Sequence, residues 1–150
     1  MGGEVVINPN NGDININGSS LIIQKGLSKN DFVSSRLFKD VLIQEIHAFS
    51  NYYLKPQLIG KDKFMVVLFF NQKDMIYLVN MSLSDDGNVL SWNNWSEDEA
   101  IKIKERHDQW LEDSIGKTPY KYSWGEISSN YDPRSGSSMI TIRYNIQQTT

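Results

Sequence analysis

Four runs rich in β-branched and aromatic residues crowd the stretch from Val41 to Leu83: "VLIQEIHAF", "YYLKPQLIG", "KFMVVLFF" and "MIYLVNMSL". The later runs are separated by "GKDK" and "NQKD". No connection here has the dozen or more residues that a crossover between parallel strands requires. The runs are therefore expected to pair as antiparallel neighbours. Phe64 to Phe70 shows no polar alternation, which predicts a central strand covered on both faces.

The flanking segments carry different grammar. "EVVINPNNGDININGSSLIIQ" alternates short Ile and Val runs with turn signals at Asn8-Pro9, Asn11-Gly12 and Asn17-Gly18, and a three-stranded meander over about residues 4 to 24 is expected. Ser28 stands three residues before Asp31, with Phe32, Val33 and Leu37 following at helical spacing, so a short helix capped near Ser28 is expected. A second, longer helix is predicted to begin after Ser96. Glu99 completes a capping box, and Glu97, Asp98 and Glu99 place negative charge at the positive end of the helix dipole. Ala100, Ile103, His107, Trp110, Leu111 and Ile115 then form one apolar stripe, ended by Gly116 and Pro119. Tyr120 to Tyr144 reads as two strands joined by Asp132-Pro133-Arg134-Ser135-Gly136, where Pro133 fixes φ, Asp132 caps the turn and Gly136 is free to take positive φ.

These elements predict a single α+β domain. Its predominantly antiparallel sheet, of about seven to nine strands, packs with one long helix from the C-terminal half and a short helix from the N-terminal half. A chain of 150 residues is large enough to bury roughly 70% of the surface it exposes when unfolded. With 39% hydrophobic residues and a net charge of −3, neither disorder nor attraction to nucleic acid is indicated. There is no cysteine, so disulfides, thiol nucleophiles and thiolate metal sites are excluded. Apolar runs fall far short of the ~20 residues needed to cross a bilayer, and a cytoplasmic chain is expected.

No nucleophile elbow, P-loop, dinucleotide fingerprint or EF-hand occurs. His107 lies on the apolar stripe beside Trp110, where a packed histidine is the better reading, and His47 shares a strand face with Glu45. An enzyme would have to assemble scattered groups such as His107, Asp132 and Arg134. The tryptophans are more informative: Trp92 and Trp95 sit in the polar segment "SWNNWSEDE", and Trp124 shares a strand face with Tyr122. Aromatic anchors near arginine are favoured at protein interfaces, although core packing is the stronger reading for Trp124. Glu105, Asp108 and Glu112 project to one side of the long helix. Glu112 and Asp113 oppose the dipole at its C-terminal end, so helix stability does not account for them.

The stretches "INPNNGDININGSSL" and "LSWNNWSEDEAIKIKERHDQWLEDSIGKTPYKYSWGEISSNYDPRSGSSMITIRY" resemble a group of small bacterial proteins. Some of these are associated with toxin–immunity gene pairs of contact-dependent growth inhibition and other polymorphic toxin systems. The likeness spans most of the chain and is most specific in the C-terminal half; from about Asp40 to Met81 it is a likeness of strand pattern alone. It implies a non-catalytic immunity protein that neutralises a cognate toxin by binding it, and it brings no catalytic residue with it. Against a basic nuclease site, the stripe of Glu105, Asp108 and Glu112 would be complementary. The residues expected to meet a partner are Trp92, Glu105, Asp108, Glu112, Trp124 and Arg134, with no catalytic residue, metal or cofactor and no membrane or nucleic acid partner. The competing expectations are a small enzyme built on His107, Asp132 and Arg134, and a ligand-binding domain with an aromatic pocket near Trp92, Trp95 and Trp124.

Overall fold

The computed structural model describes residues 6–84, 97–134 and 136–145. Helix α1 spans Lys29–Val33 and is followed by a 3-10 segment at Arg36–Asp40. Strands β1 (Val41–Ile46), β2 (Ser50–Ile59), β3 (Asp62–Phe70) and β4 (Ile76–Leu83) come next. Helix α2 (Glu97–Ile115) precedes β5 (Lys121–Tyr122), β6 (Gly125–Asp132) and β7 (Ser137–Tyr144). The chain is α+β, with a seven-stranded antiparallel sheet in the order β1-β2-β3-β4-β7-β6-β5.

Strand register divides the sheet into two unlike faces. Tyr52, Leu68, Val79, Ile142 and Ile127 form one cross-strand row, and all five are buried. Each such side chain contributes about 1.5–3 kcal/mol by leaving water. The same face receives the other elements. Phe32 of α1 packs against Tyr52 and Phe70 with ring centroids 5.1 and 5.7 Å apart, and Trp110 of α2 meets Phe64 edge-on at 4.8 Å. The segment before α1 is drawn onto this face by Ile7, Ile14, Ile16 and Ile23, all buried.

Local signals explain the element ends. Ser28 accepts a hydrogen bond from the Asp31 N–H at 3.1 Å, as an N-cap should. Gly116 stops α2 with φ of 93° while its N–H donates to the Glu112 carbonyl. In the β6–β7 connection, Asp132 Oδ1 accepts from the Arg134 N–H at 2.9 Å and Gly136 has φ of 70°.

Three expectations need correction. The N-terminal meander is reduced to single bridges, Ile7 with Ile14 and Ile14 with Ile23. Turns recur there so often that no segment is long enough for a ladder. β3 is interior to the sheet, but only Phe64, Val66, Leu68 and Phe70 are buried, and Met65 is exposed; its uninterrupted apolar run does not mean two covered faces. The C-terminal region makes three strands rather than two, because the chain turns at Ser123-Trp124 between β5 and β6. The 3-10 segment ahead of β1 was not anticipated. Ser96, with Trp92 and Trp95, lies outside the described residues.

Candidate functional site

The histidine on the apolar stripe serves the fold. His107 is fully buried, and its Nε2 accepts a hydrogen bond from the Leu83 N–H at 2.9 Å, fastening α2 to the end of β4. Burial, reinforced by the charges of Arg106 and Lys104 against the opposing pull of Asp108, lowers its pKa to about 4. Its Nδ1 is buried without a hydrogen-bond partner. Asp132 lies toward the N-terminal end of α2, beside Tyr131, whose pKa is raised by burial and by the charges of Glu97 and Asp132. Glu97 is ten residues before His107, a rise of about 15 Å along α2. His107, Asp132 and Arg134 are thus not gathered into one constellation. His47 stands in the turn after β1, where its N–H donates to the Phe49 carbonyl, and Glu45 is engaged instead by the Tyr53 hydroxyl at 2.9 Å.

Trp124 is 5% exposed. It stacks on Tyr122 at 5.0 Å, and its indole N–H donates to the Pro9 carbonyl at 2.8 Å. Its ring is committed to holding the N-terminal segment on the sheet and is not presented to a partner. Arg134 has a side chain 93% exposed, with Nε 3.6 Å from Asp132 Oδ1. It pairs loosely with the turn that carries it and projects outward as well, and an ion pair this exposed adds little stability.

The acidic stripe borders a groove of about 600 Å³ between α2 and the β5–β6 corner. Asp108 and Glu112 line it together with Glu126, but so do Lys104, Lys117 and Lys121. Asp108 is bound by Lys104 at 2.7 Å. Burial raises the Asp108 pKa, and the hydrogen bond and charge of Lys104 outweigh that and leave it below the ordinary carboxylate value. Glu105 is exposed and lies outside the groove lining. The groove wall is therefore balanced in charge, not acidic, and no group of three or more His, Asp or Glu among the described residues could hold a metal ion.

A broader surface lies on the other side of the sheet. There Tyr53, Val67, Asn80, Thr141 and Ser128 form one cross-strand row, and Asn51, Phe69, Leu78, Arg143 and Glu126 form the next. Tyr77 adds its ring between Phe49 and Phe69, with centroids 5.7 and 6.3 Å away. Apolar and aromatic side chains predominate in the β2–β4 half, with Asn51 and Asn80 among them, and hydrogen-bonding and charged ones occupy the β7–β6 half; Thr141 of β7 donates to Asn80 Oδ1 at 2.8 Å. None of the described helices packs on this face. Beyond it, β1 forms an edge on which Leu42, Ile43 and Ile46 are 68, 58 and 55% exposed. Sequence reasoning missed both surfaces. The alternation of Met65, Val67 and Phe69 with their buried neighbours was visible as position but not as exposure, since all are apolar.

No protein-family model, curated protein or solved structure matches this chain. None of the helices among the described residues is long and apolar enough to cross a membrane.

Proposed function

We propose that this chain is a non-catalytic protein-binding module, and most concretely a bacterial immunity protein that neutralises a cognate toxin by direct contact. The observation that carries the reading is the half-exposed sheet face on which none of the described helices packs. Its aromatic and aliphatic centre of Tyr53, Val67, Phe69, Tyr77 and Leu78, with Asn80, Thr141 and Arg143 beside it, has the make-up of a protein interface, an apolar core next to a polar rim. A rigid sheet also presents such a face with little ordering cost on binding.

The exposed flank of α2, with Glu105 and Glu112, is a second contact surface in this reading, suited to a basic partner. Trp124 is left out of it because its ring is already used, and Arg134 remains available at the rim of the β6–β7 turn.

The test is co-expression with the product of the adjacent gene. The reading expects that product to be toxic alone, harmless in the presence of this chain, and recovered with it as a complex. Val67→Glu and Phe69→Glu should weaken the complex at least tenfold, about 1.4 kcal/mol, while the isolated variants keep their circular dichroism. A neighbouring product that is neither toxic nor bound would sink the proposal. Binding undiminished by both substitutions would move the contact away from this face.

A further inference from the structure

The two edges of the sheet differ in kind. β5 closes one with two residues, Lys121 and Tyr122, and shortness with a lysine is how natural sheets guard an edge. β1 closes the other with six residues, Val41–Ile46, and has neither lysine nor proline. Its single charge, Glu45, already accepts the Tyr53 hydroxyl. Leu42 falls at the irregularity in the β1–β2 register and, at 68%, is the most exposed large apolar residue among the described residues. Such an edge turns a row of free N–H and C=O groups to solvent and is a template for another strand.

We propose that β1 is where two copies of this chain associate, each β1 pairing antiparallel with the other about a two-fold axis to give one continuous sheet of doubled width. The symmetry restricts the register. Facing residues must lie on the same side of the sheet, so the pairing centres on a residue rather than between two. Centring on Glu45 sets two carboxylates opposite each other, which is unfavourable. Centring on Ile46 runs the pairing into the turn, where the His47 N–H is already given to the Phe49 carbonyl. Centring on Ile43 faces Val41, packed against its own core, with Glu45. Centring on Gln44 keeps the two carboxylates apart, stays clear of the turn and leaves Val41 out: Gln44 faces Gln44, Ile43 faces Glu45 twice, and Leu42, at the irregularity, comes opposite Ile46 twice.

The short β5 edge offers no complementary strand for head-to-tail growth, so the contact closes at two copies instead of extending into a fibre. A six-residue edge is a small contact, below the roughly 1,200 Å² at which stable interfaces begin. The dimer is accordingly reversible. It leaves free the sheet face on which none of the described helices packs, and it stands whether or not that face binds a toxin.

Sedimentation or light scattering of the full chain from about 1 μM to about 1 mM, the span of weak to moderate affinities, should show the mass rising to twice that of the single chain. Amide exchange in β1 should slow over the same range. The double variants Leu42→Glu/Ile46→Glu and Leu42→Lys/Ile46→Lys should each be folded and monomeric, and an equimolar mixture should restore the dimer. A wild-type chain that stays monomeric throughout overturns the proposal. So does a dimer that persists in the separate variants, or folded variants that fail to associate when mixed. If the substitutions unfold the chain, β1 exchange without concentration dependence in the wild type overturns it equally.

Discussion

His107 carries a titration that the fold must resist. Its pKa is near 4 in the native protein against 6.5 for the free side chain. Between those values the unfolded chain takes up a proton that the folded chain refuses. The contribution is therefore constant above pH 6.5, and stability falls as pH drops through the window, by up to about 3 kcal/mol at pH 4. Urea denaturation across pH should show this slope. In His107→Ala the slope from this group should vanish, together with about 2–4 kcal/mol at neutral pH, because the Leu83 N–H loses its acceptor and a cavity opens. An unchanged acid slope in that variant would assign the effect to other groups. Gly12 is the second residue where a single atom matters. It has φ of 81°, and a Cβ there would stand 2.6 Å from Trp124 Cε3. Gly12→Ala combines backbone strain with a clash against a ring held between Tyr122 and Pro9, and a loss of about 2–4 kcal/mol is expected in the same measurement.

At the scale of elements, both helices were legible in advance, α1 from its Ser28 cap and α2 from its apolar stripe and Gly116 stop. α1 has only five residues and would not persist alone; the Ser28 cap and the burial of Phe32 hold it. Ser28→Ala should cost about 1 kcal/mol, read as a lower urea midpoint with unchanged slope. No loss would mean that the backbone bridge between Ser28 and Met75, which the substitution leaves intact, and not the cap, is the principal tie. The β6–β7 turn was equally legible, since Asp, Pro and Gly each have one physical role there. The acidic stripe was legible as position on α2 but not as charge. Lys117, Lys121 and Glu126 reach the same groove from beyond the helix, and no spacing rule on α2 reports them.

For the molecule as a whole, the sheet order sets which amides are protected. β3, β4 and β7 have a strand on each side and buried side chains on the covered face, so their exchange should be the slowest and approach the global unfolding limit. β5, a two-residue edge, should exchange fastest among the strands. Slow exchange in β5 with fast exchange in β4 would contradict the order. The same order explains why Trp124 was ambiguous in sequence and decided in the fold: the β5–β6 corner lies over Pro9 and Gly12, more than a hundred residues away along the chain.

What the sequence determined by itself was everything that depends on neighbours within a few residues: the antiparallel runs from Val41 to Leu83, both helices, the Gly116 stop and the Asp132–Gly136 turn. Hydrogen-bond geometry and side-chain period act at that range. Only the tertiary structure decided that β7 inserts beside β4, that β1 and β5 are the edges among the described strands, and that none of the described helices packs on one face of the sheet. Those choices rest on contacts between distant segments competing for the same apolar surface. An apolar residue such as Ile43 or Val67 reads alike in the sequence whether it meets a covering layer or solvent.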